Sequence, residues 1–183
     1  MKPRHLTVLF VALLACGADH RARTLLKEYA AAAEKNDIPV LVRLSDPNMR
    51  ALIERGYEKQ DYPVEAIRQI LPQPVRIVRH ARGIAYIGWV GNDLIPIVVG
   101  EGRTISKYSS LVENAGVNDT TDWQVAIIDP GMLGAGIARA NSSRPDPAPY
   151  NAALMNIDDA LLRAWFFEGS SDARREIHRR LDL

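Results

Sequence analysis

The sequence predicts an α+β fold in which N-terminal helices precede a curved antiparallel meander and C-terminal helices follow it. Apolar residues recur at three- and four-residue spacing up to Pro74, and beyond it the spacing changes to two. Residues 130–149, rich in Gly, Pro and Ser, form a loop that leads back to helical spacing. Helical and strand segments are therefore grouped, which differs from the alternating order of a parallel sheet.

Cap residues mark the predicted N-terminal helices. Residues 21–37 form the first helix, and Asp37 caps a short second helix with proline in its first turn. Asp46 is the predicted N-cap of a third helix, which begins with proline and is closed by Gly56. Residues 63–71 form the fourth helix, because proline precedes its apolar positions and proline stops it.

The predicted meander begins at residues 75–81, where arginine alternates with valine and isoleucine. Residues 83–99 predict a hairpin, since the Gly-Asn-Asp sequence in the middle accepts the positive φ of a tight turn. Pro96 cannot donate a hydrogen bond, which predicts that its strand lies at an edge or is bulged there. A weaker strand is expected at 103–113 and a stronger one at 122–129.

The C-terminal part predicts two helices after the loop. Residues 156–167 form the first, which Gly169 stops, and Ser171 caps a last helix over residues 172–181.

Composition excludes several classes of function. The 183 residues hold 23 Lys and Arg against 22 Asp and Glu. A nearly neutral chain lacks the concentrated cationic surface of a nucleic-acid-binding protein, so no nucleic acid partner is expected. The single cysteine allows no internal disulfide, and no histidine pair has the spacing of a metal site. We therefore expect neither a metal nor a cofactor.

The first fifteen residues predict a secretory signal peptide. Lys2 and Arg4 form a cationic start, and residues 6–15 are apolar but too short to span a bilayer as a helix. Small residues follow, as at a cleavage site.

The end of this leader, Leu13-Leu14-Ala15-Cys16, resembles the lipobox of bacterial lipoproteins. The resemblance implies that Cys16 becomes the first residue of the mature protein and carries diacylglycerol and an N-acyl chain such as palmitate. Several acyl chains anchor a protein almost permanently, since each buried CH₂ adds about 0.8 kcal/mol. Gly17 resembles the corresponding residue of lipoproteins sent to the outer membrane. An alternative stays open, in which cleavage after Ala18 discards the cysteine and releases a soluble protein.

The remainder reads as one α+β domain over residues 21–183, joined to Cys16 by a tether within residues 16–20. Within it, Tyr-Ala followed by Glu-Lys-Asn-Asp, then Val-Glu-Ala-Ile-Arg and the hairpin strands, is similar to the NTF2-like (cystatin-like) domains. This similarity covers residues 21–129. It implies a sheet curled around a helix to form a conical pocket.

One candidate binding surface stands out in the first strand. Arg76, Arg79, His80 and Arg82 lie close together in the chain and form a candidate anion-binding surface. The alternative is a strand face that water solvates. No catalytic residue is predicted, because no nucleophile motif is present.

Three aspartates are candidates for a catalytic base. Asp37, Asp46 and Asp61 are better explained as helix caps than as catalytic bases.

These observations predict a lipid-anchored protein of the bacterial cell envelope, at the outer membrane and facing the periplasm. Its expected role is non-catalytic binding of an envelope partner protein or a small ligand. Two alternatives stay open. One is a lipoprotein that neutralises a toxin as an immunity protein or inhibitor. The other is an NTF2-like pocket enzyme with a carboxylate base, which requires that carboxylate to be buried in a concave pocket.

Overall fold

Four helices form the N-terminal part of the computed structural model. The structure describes residues 4–59, 62–71, 76–80, 83–90, 93–105, 118–127 and 148–181. The helices are α1 (Arg4–Glu34), α2 (Ile38–Leu44), α3 (Pro47–Lys59) and α4 (Tyr62–Ile70). Sequence analysis begins the first helix at residue 21, whereas α1 continues without a break from the leader and is 31 residues long.

A four-stranded antiparallel sheet follows, with its strands in chain order across the sheet. The strands are β1 (Arg76–His80), β2 (Gly83–Val90), β3 (Asp93–Glu101) and β4 (Trp123–Ile127). The helices after β3 are α5 (Gly102–Ile105), α6 (Ala148–Met155), α7 (Asp159–Phe166) and α8 (Ser171–Leu181). Helices at both ends and a meander between them confirm the predicted α+β class.

Helices cover both faces of the sheet. One row of paired residues, Ile77, Tyr86 and Ile97, crosses the sheet on the face towards α1–α4. The adjacent row faces the C-terminal helices and comprises Val78, Ala85, Val98 and Ala126. A one-residue step along a strand changes face, so each strand serves two separate cores. This explains why residues 94–100 are all buried.

The predicted caps of α2 and α3 are confirmed. The Asp37 side chain accepts a hydrogen bond of 3.3 Å from the backbone N–H of Val40. The Asp46 carboxylate accepts one of 2.9 Å from the N–H of Met49. Each bond satisfies a donor that the first turn of a helix leaves without an intrahelical partner.

The linker between α2 and α3 meets the outer edge of β4. Ser45 forms an isolated parallel bridge with Val125, and the N–H of Asp46 donates to the Val125 carbonyl at 2.9 Å. Covering an edge in this way blocks pairing with another chain. β1 is the strand at the opposite edge.

Two predictions about the sheet are wrong. Pro96 lies in β3, an interior strand, and pairs with Ile87 without a break in register. The N–H of a residue in an antiparallel strand points to one neighbouring strand only, so a proline removes at most one hydrogen bond from the ladder. Residues 102–105 form α5 in place of a strand, and residues 106–117 lie outside the described part.

The ends of three helices also differ from expectation. α3 runs through Gly56 to Lys59, and α6 begins at Ala148, within the predicted loop. The cap of α8 is Ser170 and not Ser171, since the Ser170 Oγ accepts from the N–H of Ala173 at 3.2 Å. Gly169 does follow the end of α7, with a φ of 68° that favours glycine.

Candidate functional site

The predicted cationic surface lies on β1, the edge strand of the sheet. Alternation along the strand places Arg76 and His80 with Val78 towards the C-terminal helices, and Arg79 with Ile77 towards α1. Arg82 lies outside the described residues. The structure therefore does not bring Arg76, Arg79 and His80 to one surface.

Arg76 holds the connection between α6 and α7. Its guanidinium donates to the carbonyl oxygens of Met155, at 2.7 Å, and Ile157, at 3.1 Å. It also pairs with the Asp159 carboxylate at 2.5 Å. Only 15% of the Arg76 side chain is exposed. Its charge and its donors are thus engaged inside the protein.

His80 packs against the same C-terminal layer. Its ring is stacked on the ring of Phe167, with 4.7 Å between the ring centroids and 15° between the planes. Phe167 is the residue that follows α7, and it is buried. His80 therefore has a packing role.

Arg79 joins a different cluster, at the start of the domain. Its guanidinium lies 3.2 Å from the Asp19 carboxylate, and Arg23, one helical turn further along α1, lies 3.5 Å from the same oxygen. We call Asp19, Arg23, Arg79 and the neighbouring Tyr86 the N-terminal dock. The pair between Asp19 and Arg79 joins this turn of α1 to β1.

Tyr86 is the buried member of the N-terminal dock. Burial and the charge of Asp19 raise the pKa of Tyr86 above its ordinary value, and Arg23 and Arg79 offset part of the rise. The phenol therefore stays protonated at neutral pH. The Tyr86 hydroxyl and Asp19 Oδ1 are both buried, with no hydrogen-bond partner among the described residues.

Sequence analysis missed three members of this dock. Asp19 and Arg23 have the i,i+4 spacing of a helical ion pair, a signal the sequence did contain. The contact between Asp19 and Arg79 joins residues 60 apart, which no local pattern indicates. Cys16, the predicted point of lipid attachment, lies within α1 just before the dock.

Of the three aspartates considered as catalytic bases, the two that the structure describes lie at the starts of helices. Asp46 is fully buried, and Asp37 is half-buried. Both act as caps, and Asp61 lies outside the described residues. Burial of Asp46 meets one requirement of the pocket-enzyme alternative, but its Oδ1 is engaged by the N–H of Met49.

A second buried polar cluster lies beside Asp46. The Ser45 Oγ donates to the Leu41 carbonyl at 2.7 Å, so its only proton is used. The Tyr29 hydroxyl, 2.8 Å away, must then be the donor to Ser45. Burial holds the pKa of Tyr29 well above its ordinary value, which keeps this donor protonated. The cluster joins α1 to the linker that covers β4.

No protein family model matches the chain, and neither a curated protein nor a solved structure matches it. Within the described ranges, no three His, Cys, Asp or Glu side chains are grouped so as to hold a metal ion. Among the helices of that part, none is long and apolar enough to cross a membrane. The glycine-rich sequence at residues 131–136 lies outside it.

Proposed function

We propose that this protein is a lipoprotein of the bacterial cell envelope, anchored through Cys16 to the outer membrane and facing the periplasm. Its folded domain binds a partner protein or a small ligand and catalyses no reaction. The sequence support is the cationic start, the apolar stretch and the Leu13-Leu14-Ala15-Cys16 motif, which holds the only cysteine of the chain.

The N-terminal dock carries the proposal. All members of the dock follow Cys16 in the chain, and Ala22, which is buried against the core, lies six residues after Cys16. Removal of residues 1–15 therefore keeps the whole dock. A cut just before Cys16 is compatible with these contacts.

The use of the charged groups supports a binding role. Arg76 and Arg79 serve packing between the sheet and the helices, and Asp37 and Asp46 serve as caps. Each of these four groups makes a structural contact, so none of them is free to act as a catalytic acid or base.

The experiment is expression of the full chain in a Gram-negative host, followed by membrane fractionation and intact mass measurement. We expect a membrane-bound product that begins at Cys16 and carries added acyl mass. Cys16→Ser removes the only thiol and should abolish both the acyl mass and the processing. A soluble product that begins at Asp19 would refute the anchor.

A second variant tests the choice of membrane. A Cβ at Gly17 has no neighbour within 4 Å beyond its own stretch of helix, and Gly17 is exposed, so we expect Gly17→Asp to leave the fold intact. The resemblance to lipoproteins implies that this aspartate retains the product in the inner membrane. Gly17→Ala is the matched control, and it should stay in the outer membrane fraction.

Native mass spectrometry of the detergent-extracted protein tests the binding role. A bound protein or small molecule should appear as added mass that denaturation removes. A bound species that the protein chemically converts during incubation would contradict the non-catalytic assignment.

A further inference from the structure

We infer that the exposed face of α1 nearest Cys16, together with Arg79, lies against an anionic phospholipid surface. This inference rests on the proposed lipid anchor. We call Arg21, Arg23, Lys27 and Arg79 the anchor-proximal patch. All four side chains belong to exposed residues.

The first step is the distance between the anchor and the body of the domain. Asp19 pairs with Arg79 at 3.2 Å and lies three positions after Cys16, with two residues between them. In a helix this span is about 4.5 Å at 1.5 Å per residue. Even a fully extended chain would reach only about 11 Å. Lipid chains on Cys16 therefore hold the N-terminal dock close to the lipid headgroups.

The second step is the direction in which the arginines point. Ala22 is buried against the core. Arg21 and Arg23 therefore lie about 100° to either side of the buried direction of α1. Arg21 lies over the Trp123 ring, 5.4 Å from its centroid, beside β4. Arg23 lies on the opposite side of α1, beside Arg79 of β1. The outward side of α1, between Arg21 and Arg23, carries the exposed residues Thr24 and Lys27.

The third step is the charge balance along α1. Residues 19–27 hold the patch cations Arg21, Arg23 and Lys27 and one acid, Asp19, whose side chain is only 21% exposed. The next acid, Glu28, directly follows Lys27 and pairs with Arg43 at 2.6 Å, and Glu34 lies farther from Cys16. Positive charge is therefore concentrated at the end of α1 that the anchor brings to the membrane.

Other charged groups bound the patch. Asp119 and Asp122, both exposed, precede Trp123 in the chain and place negative charge on the side of the domain next to Arg21. Glu101 pairs with Arg103, so this pair adds little net charge. An anionic surface attracts exposed cations over about a Debye length, which is about 8 Å at physiological salt, so the short link to Cys16 favours contact with the headgroups.

The test uses the lipidated full-length protein in vesicles of phosphatidylcholine, with or without phosphatidylglycerol. Acylation blocks Cys16, so a single introduced cysteine accepts a spin label. One label replaces Thr24 as Thr24→Cys. The control label, Asp172→Cys, lies on α8, where the Asp172 side chain is 82% exposed. The readout is relaxation of each label by a lipid-soluble and a water-soluble reagent.

We expect the Thr24→Cys label to contact lipid in vesicles that contain phosphatidylglycerol, and to lose that contact in their absence or at high salt. The control label should stay in water throughout. Each basic residue near an anionic surface changes the equilibrium by about fivefold. Arg21→Gln with Lys27→Gln leaves the pairs of Asp19 intact and should therefore lower the contact about 25-fold.

The matched control removes two cations from α8, Arg175→Gln with Arg179→Gln, and should leave the contact unchanged. Contact that is equal in both kinds of vesicle, or that persists in the Arg21/Lys27 variant, would overturn the inference while the anchor stands. A preparation without acyl mass on Cys16 would instead refute the proposed function and this inference with it.

Discussion

Arg76 provides the sharpest test of how the C-terminal helices are held to the sheet. The last carbonyls of a helix lack partners within the helix, and the Arg76 guanidinium supplies donors to Met155 and Ile157 at the end of α6. We predict that Arg76→Ala lowers the free energy of unfolding because these bonds are lost where little water replaces them.

The magnitude follows from the contacts. A hydrogen bond from a charged donor contributes about 1.5–3 kcal/mol, and the two carbonyl bonds share one guanidinium, so we expect a loss of about 3 kcal/mol. The Asp159 side chain is 49% exposed, and its pair with Arg76 should add less than about 1 kcal/mol. Arg76→Lys keeps the charge but not the planar fork, and should lose about half as much as Arg76→Ala.

The assay is urea unfolding followed by circular dichroism, with the free energy taken from the midpoint and the slope. Asp159→Asn is the control that removes the ion pair and leaves both carbonyl bonds. The reasoning would be refuted by a loss below about 0.5 kcal/mol in Arg76→Ala, the usual range for surface substitutions. It would also be refuted if Asp159→Asn were as damaging.

Three further predictions concern packing, burial and charge. A Cβ at Gly88 would lie 2.3 Å from the Ile70 side chain. Gly88→Ala should therefore lower the free energy of unfolding by about 1–3 kcal/mol in urea unfolding. Adding Ile70→Ala in a double variant should reverse part of that loss. Ser45→Ala strands the buried hydroxyl of Tyr29 and should cost about 1–3 kcal/mol in the same assay, more than Tyr29→Phe. Two arginines of α8 lower the pKa of Glu176 to about 2, so its stabilising contribution is complete above pH 4.5 and is lost as the pH falls towards 2, which NMR titration of the carboxyl carbon will follow.

Each of these has a clear contrary result. Additive losses in the Gly88 and Ile70 double variant would show that the two side chains do not collide. A greater loss in Tyr29→Phe than in Ser45→Ala would reverse the donor assignment between the two hydroxyls. A Glu176 titration at its ordinary pKa of 4.5 would show that the arginines of α8 do not hold that carboxylate.

Local signals in the sequence were sufficient for the helices with caps and for the meander. Asp37 and Asp46 act within three residues of themselves, so the sequence contains the information needed to place the starts of α2 and α3. β4 likewise follows from its alternation alone. The resemblance to NTF2-like domains stays a prediction.

Contacts between distant residues decided the features that sequence analysis missed. The almost continuous apolar run of β3 indicates burial on two faces, but only the docking of α6–α8 shows what covers the second face. Pro96 was misassigned because the place of its strand between β2 and β4 depends on pairing with segments that are distant in the chain.

Contacts between distant residues also decide which residues of the candidate site share a surface. Arg76 and Arg79 are three residues apart, which brings their charges together in the sequence, yet odd spacing in a strand sends them to opposite faces. An edge strand has room for long side chains to reach either layer, so Arg76 holds the C-terminal helices and Arg79 holds α1.

Of the predicted anion-binding residues that the structure describes, Arg79 is the exposed one, and it lies next to exposed cations of α1. Its side chain is 59% exposed, compared with 15% for Arg76. The contribution of β1 to an anionic partner therefore depends on α1, whose first turns add Arg21 and Arg23 to the same end of the domain. A lipid anchor at Cys16 would bring that charge close to the headgroups, because Arg21 and Arg23 follow Cys16 by only five and seven residues.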